Sequence, residues 1–457
     1  MTPYWRTLGR VLARTGASRM LCAGAVLLGL SLPAAADLTE ASRLAEQDPA
    51  RALAMANAVL VEDPDHIDAL LIRARAEAAT GRPRAARQSA LAAYRAADVQ
   101  PAHYASAMIL ADLAGQDGNH TLAQYWLRRA VQHTQTDAEV AQVVRAYQHA
   151  RRENPWAFQF SIGGAPNSNV NNGSSERIIS IQGLPFVLSP TARALSGFSA
   201  EATAAVQYRF SRTTNSQSHI GLEVVGRMNW LDARSKAAAP GVTGHDFDYY
   251  AATVVGQHVQ MLHARGTALT FSGQAGRHWY GGTKLSDTFG AGLALGLALA
   301  DGRDRLTLSA RADRVFNARA GQAHETIGKI SARYDLGLPW GDTLSGEIGY
   351  TKSHSSNPVQ VYGRSELSLT YAFDEPIGGA IFTLGASYGY KDYGFSPYTT
   401  VGRQDHMFGV TASAELRNLS YMGFAPVVTL QANRSFSNVS LYSQQSLSGG
   451  LSLQSRF

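Results

Sequence analysis

The sequence predicts an all-α N-terminal repeat solenoid followed by a C-terminal 14-stranded antiparallel transmembrane β-barrel. Three observations carry this. Residues 37 to 153 are rich in Ala and Arg, contain no Lys and hold only three glycines, Gly81, Gly115 and Gly118. Residues 156 to 457 hold 36 of the 43 Gly and 34 of the 41 aromatics. In that second part the apolar residues alternate at period two, as in strands with one apolar and one polar face, whereas the first composition favours helix. The change falls at Asn154-Pro155, so three regions are expected: 1-36, 37-153 and 154-457.

The first region reads as a secretory signal peptide. Arg6, Arg10, Arg14 and Arg19 form a basic stretch, Met20 to Leu30 is a short apolar core, and Ala34-Ala35-Ala36 supplies small residues for cleavage. Beyond it no apolar run reaches the roughly 18 residues of a spanning helix, which excludes a helical membrane protein. Without the four leader arginines 37 basic groups face 35 acidic ones, a net charge of +2 in place of +6. That near-balance removes the electrostatic case for nucleic-acid binding. The single cysteine, Cys22, lies in the leader, so the mature chain is expected to be cysteine-free and not disulfide-stapled.

Residues 37-153 show internal similarity. Ala52, Ala56, Val59 and Pro64 fall at the spacings of the second helix of a tetratricopeptide repeat, where small residues let paired helices approach. Gly81, Ala86, Ala90 and Ala93 repeat the pattern 34 residues later, and Gly118, Ala123, Leu127 and Ala130 do so after a further 37. Three repeats are expected, stacked into a protein-binding surface.

The barrel strands are expected at approximately 156-162, 198-210, 218-230, 246-260, 266-280, 284-300, 304-317, 324-336, 342-354, 360-373, 380-393, 405-416, 424-437 and 441-457. Most exceed the roughly 9 to 11 residues that a tilted transmembrane strand needs, whereas soluble strands average about 5 or 6. The polar face carries charge at mid-strand in Glu201, Glu223, Arg227, Arg311, Asp313, Lys329, Arg333, Glu347, Arg364 and Glu366. A dry core would be strongly destabilised by such groups, but a wet lumen tolerates them, particularly as opposite signs pair across strands. They are the candidate lumen and cargo-path residues. Trp156, Phe210, Trp230, Tyr280, Phe373 and Phe457 sit near strand ends, as in interfacial girdles. With an even strand count both barrel termini lie on one side, and the connections 163-197, 231-245 and 394-404 fall on the other.

The sequence around the junction, Asn154-Pro155-Trp156-Ala157-Phe158, followed by Gly164-Ala165-Pro166-Asn167-Ser168-Asn169-Val170-Asn171, resembles the surface lipoprotein assembly modulator (Slam) family in its motif and in its order of leader, short repeat domain and barrel. The motif residues are Ala165, Pro166, Asn167, Asn169 and Asn171. The resemblance implies an outer-membrane translocator that moves partner lipoproteins, or related secreted effector proteins, from periplasm to cell surface. The repeat domain would be a periplasmic receiving module and the barrel the route. The aromatic Phe457 implies recognition by the barrel insertion machinery, and outer-membrane lipid surrounds the barrel. In this reading strands one and fourteen form a seam weakened by Gly449 and Gly450, and the connection 163-197 is either a plug or a surface loop.

No zinc spacing, phosphate loop, dinucleotide fingerprint or nucleophile elbow is present, so no cofactor or metal is expected and the chain does not read as an enzyme. One alternative is a repeat-plus-barrel polysaccharide exporter. Another is a lipid hydrolase, since His354-Ser355-Ser356-Asn357 resembles the His-x-Ser-Asn stretch of outer-membrane phospholipases and would place His354 beside Ser356 as its activator. His219, His258, His278 and His406 lack metal-ligand spacing and read as rim or lumen residues.

Overall fold

A computed structural model describes residues 37-181, 184-262, 266-422 and 424-455. The leader expected at 1-36, with Cys22, and the C-terminal signal expected at Phe457 lie outside the described residues. The chain divides into two compact units between Asn154 and Pro155.

The first unit is helical: α1 (Leu38–Gln47), α2 (Pro49–Glu62), α3 (Ile67–Ala79), α4 (Pro83–Ala96), α5 (Gln100–Gln116), α6 (His120–Ala130) and α7 (Asp137–Glu153). Each start has a local cause. Asp37, Asp48 and Asn119 accept backbone N–H groups of the first turns of α1, α2 and α6, Pro83 opens α4, and Thr136 with Glu139 forms a capping box on α7. Each helix packs on the next, and α1 and α3 also pack on the helix after that, so the helices stack as successive hairpins. Gly81 and Gly118 make the turns within two hairpins at φ +72° and +74°, a region that L side chains disfavour. The predicted small positions are the packing positions. Ala52 and Ala56 on α2, Ala86, Ala90 and Ala93 on α4, and Ala123, Leu127 and Ala130 on α6 are all buried. Leu60, Leu70, Leu71, Ile109, Leu110 and Leu113 fill the space those alanines leave.

The second unit is a closed antiparallel barrel of fourteen strands. They are β1 (Trp156–Asn167), β4 (Gly197–Arg212), β5 (Ser216–Leu231), β6 (Tyr249–Met261), β7 (Thr267–Tyr280), β8 (Thr283–Leu299), β9 (Asp304–Asn317), β10 (Glu325–Gly337), β11 (Thr343–Ser355), β12 (Gly363–Ala372), β13 (Ala380–Tyr393), β14 (Arg403–Leu416), β15 (Phe424–Ser437) and β16 (Gln444–Ser455). A separate two-stranded hairpin, β2 (Ile178–Ile181) and β3 (Leu184–Val187), and a short helix, α8 (Ala233–Ala238), lie in connections. All fourteen predicted strands are present.

β1 is longer than its alternation predicted. The run Gly163-Gly164-Ala165-Pro166 has no period-two pattern, yet its pairing with β4 is unbroken from Trp156↔Tyr208 to Asn167↔Gly197. Neighbouring backbone overrides weak local preference there. The hairpin at 178-187 was also unforeseen, its short apolar run lying inside a predicted connection.

Side chains alternate across the wall. One parity presents Phe158, Phe160, Ile162, Leu222, Ile330, Ile348, Leu369, Val410, Leu430, Leu447 and Leu451, all large, apolar and exposed. Such a continuous apolar exterior is the surface a bilayer solvates and water does not. Of the predicted girdle residues, Trp156, Phe210 and Trp230 are exposed. Tyr280 instead lies under the Arg319 guanidinium at 5.0 Å, and Phe373 packs against Tyr371 with ring centroids 4.9 Å apart. At the end where β1 begins, turns such as 213-215 and 338-342 are short; the long connections 168-196 and 232-248 lie at the far end.

Candidate functional site

The opposite parity carries the predicted lumen charges. Four of them, Lys329, Glu347, Arg364 and Glu366, line one cavity of about 490 Å³ together with Ser387, Asn433 and Gln444 from strands further round the wall, and with Asn169 and Asn172 from the connection after β1. Glu201, Glu223, Arg227, Arg311, Asp313 and Arg333 do not line that cavity.

Pairing follows a rule that the sequence reading missed. Cross-strand pairing was expected, and Glu201–Arg227 achieves it at 2.8 Å between residues in direct register. The other predicted lumen charges that pair do so along a single strand, two residues apart: Arg311–Asp313 and Arg333–Asp335 at 2.8 Å, and Arg364–Glu366 at 2.5 Å; outside the predicted set, Arg277–Asp287 also pairs across strands in direct register, at 2.7 Å. Residues i and i+2 share a face of a strand, so a long arginine folds back on its own neighbour. Among the described residues, Glu223, Lys329 and Glu347 enter no ion pair. Two of these three, Lys329 and Glu347, line the cavity, and Glu347 stands opposite Arg333 in the β10–β11 register, within its electrostatic reach.

A second cluster escaped the sequence reading. The Lys391 ammonium lies 3.7 Å from the Tyr362 ring centroid, and the Arg403 guanidinium stacks 4.3 Å from Tyr393 and 3.5 Å from Tyr442 while bonding the buried Asp405 at 2.6 Å. The tyrosine-rich stretch 388-398 was its one available signal.

The motif residues act as a far-end clasp. Asn169, buried, donates to the carbonyls of Gly173 and of Gln445 on β16, at 2.9 and 3.2 Å, and accepts from the Gly173 N–H at 2.8 Å. Asn171 donates to the Arg193 carbonyl and accepts from the Leu195 N–H, both at 2.8 Å. Asn167 accepts from the Asn169 N–H at 2.9 Å. Ser174 Oγ donates to the Ser440 carbonyl at 2.9 Å, and Gln444 donates to the Asn172 carbonyl at 2.6 Å. Val170 and Leu195 join Leu231 and Ala239 in a small core shared with the connection 232-248. Of this connection, Asn169 and Asn172 line the cavity, and Asn169 and Val170 tie it to β16 and to the connection 232-248.

Barrel closure itself is interrupted. Among the described residues β1 and β16 share three pairs, Gly163↔Ser452, Gly164↔Leu451 and Asn167↔Ser448. Between the second and third lie Ala165 and Pro166, and Pro166 has no N–H to donate. Gly450 comes close to this junction: a Cβ there would lie 3.7 Å from that of Ala165.

The remaining candidates are placed singly. No hydrogen bond joins His354 to Ser356 among the described residues; Ser355 donates to the His324 carbonyl and Asn357 caps the following turn. His258, His278 and His406 bond the hydroxyls of Ser218, Tyr249 and Tyr388. No group of three or more potential metal ligands occurs among the described residues.

No protein-family model and no curated protein sequence matches the chain. Among solved structures it is similar to a loop L8 deletion mutant of OmpT, an outer membrane protein of Vibrio cholerae, at 9% identity over 66% of this chain and 99% of that one, with a TM-score of 0.34. Acinetobacter baumannii OccAB3 matches at 9% identity over 66% and 99%, TM-score 0.36. The COG4313 outer membrane channel from Pseudomonas putida F1 matches at 9% identity over 65% and 95%, TM-score 0.33. At such scores these likenesses assign this chain no activity.

Proposed function

We propose that this chain is an outer-membrane translocator that delivers partner proteins, either surface lipoproteins or related secreted effectors, from the periplasm to the cell surface. The helical unit is the receiving module, read as three tetratricopeptide-like hairpins, and the barrel is the route. The observation that carries this reading is the interrupted β1–β16 closure in a chain that also bears a stack of helical hairpins. A channel for small solutes needs neither feature. A fourteen-stranded barrel encloses room for an extended chain or hairpin but not a folded domain, so a passenger crosses unfolded or through the seam. The lumen wall, charged and wet, suits a polar backbone in transit.

The test uses the product of the adjacent reading frame, if it carries an export leader, as passenger. Antibody labelling of intact cells is expected to detect it only when this chain is present. Equal labelling after deletion of this chain would overturn the proposal.

A further inference from the structure

Arg311, Arg333, Arg364 and Arg403 each pair with a carboxylate on the polar face of the wall, and Arg277 pairs with Asp287 on the apolar face. Two cations of the apolar face differ. Arg314 on β9 shares its parity with Leu308 and Phe316, and Lys352 on β11 shares its parity with Ile348 and Tyr350, so both point outward and both are exposed. Among the described residues neither enters an ion pair. The outward carboxylate beside them, Asp287, which stands opposite Phe316 in register, is already held by Arg277 and Lys284 at 2.7 and 2.6 Å.

Their height on the wall fits a headgroup. Arg314 and Lys352 each stand three residues before the far ends of their strands, Asn317 and Ser355. With a rise of about 3.4 Å per residue and a tilt near 40°, that is roughly 8 Å below the strand ends, where a long cation reaches the headgroups and avoids the hydrocarbon centre. Arg314 is held in place: its Nη1 donates to Thr326 Oγ1 at 2.7 Å, its guanidinium lies 5.7 Å from the Phe316 ring centroid, and Phe289 stands opposite it in register. The register sets Arg314, Thr326 and His354 in one row across three strands. In the next outward row toward the middle come Ala291, Ala312 and Gly328, followed by Lys352. A Cβ on Gly328 would meet nothing within 4 Å. With strands about 4.8 Å apart, the three small residues make a shallow apolar strip roughly 10 Å wide, bounded by Lys352.

A lipid-facing cation with no carboxylate beside it is stabilised by an anion from the bilayer, and guanidinium and ammonium groups both bind phosphate oxygens. We infer that Arg314 and Lys352, with His354 beside them, bind the phosphate of an anionic lipid in the leaflet at the far end of the barrel, one acyl chain lying in the strip over Ala312 and Gly328. The occupant is a lipid and not a free anion, because the cations and the apolar strip adjoin on one membrane-facing surface. The site stands independently of the translocator reading, since it needs only the barrel in its bilayer.

The test titrates the full chain, folded in a nonionic detergent, with dioleoyl phosphatidate or with dioleoylglycerol, which has the same acyl chains and no phosphate, and counts bound lipid by native mass spectrometry. The unsubstituted protein is expected to retain phosphatidate at concentrations where dioleoylglycerol leaves no adduct. Arg314→Gln and Lys352→Gln are each expected to weaken phosphatidate binding about tenfold, as loss of a charge-assisted contact does. Arg305→Gln, which removes one positive charge from the inward face of β9, is expected to leave it within about twofold. Gly328→Leu, which fills the strip, is expected to weaken it severalfold. Equal retention of the two lipids by the unsubstituted protein would overturn the inference whether or not the variants fold. So would an equal loss in Arg305→Gln, and displacement of phosphatidate by millimolar inorganic phosphate would reassign the cations to a free anion.

Discussion

Gly164 lies beneath the Phe198 ring: a Cβ there would sit 2.6 Å from the ring edge, so only glycine lets that aromatic cover the end of β1. Three residues on, the Asn motif changes role from turn former to clasp. Its most buried member is Asn169, whose amide serves three backbone groups. Asn169→Ala would leave these groups unpaired, with an expected loss of about 2 kcal/mol, read as an earlier urea midpoint for the folded gel band. In the helical unit, half-buried His133 stacks on His103 with centroids 4.6 Å apart. Its pKa is held below 6.5 by burial, and further by the neighbouring His103 and Arg129 charges. Protonation is therefore easier in the unfolded chain, and the stabilisation is complete above pH 6.5 and lost as pH falls toward the folded value. The helical circular-dichroism signal should melt earlier at about pH 5.5 than at about pH 7.5, and His133→Gln should shrink that difference.

Among elements, β1 and β16 are the pair whose properties least follow from their own sequences. Strand lengths and faces were readable because alternation is local, but the extension of β1 through Pro166 and the break in its ladder with β16 depend on what each edge meets. Gly449 and Gly450 face Leu430 and Thr429 on β15, and a Cβ on Gly449 would lie 3.1 Å from the Leu430 Cδ2, a flexible side chain that can move aside. Replacing both glycines with Val should stiffen β16, raise the unfolding midpoint and reduce passenger display. Unchanged display by an assembled double variant would remove the seam from the transport mechanism. The ion pairs teach the same lesson: opposite signs on the polar face were legible, but partner choice was not, since i,i+2 and cross-strand geometries compete on one surface.

For the whole molecule, the far-end connections are tied together by contacts between residues far apart in sequence, such as Asn169 with Gln445 and Val170 with Leu231. Replacing residues 172-193 with a short Gly-Ser linker should enlarge the lumen, so that planar-bilayer recordings show a severalfold rise in conductance; an unchanged value would mean that another segment limits flow. By itself the sequence determined the order of a helical part and a fourteen-stranded part, the faces of those strands and the small packing positions of α2, α4 and α6. These are set by local periodicity and side-chain size, which any window of a dozen residues displays. Only the tertiary structure decided where the closing ladder breaks, which four of ten lumen charges share a cavity, and that three asparagines clasp its far end. Each of those depends on contacts between residues tens to hundreds of positions apart, and chain-local chemistry carries no record of such partners.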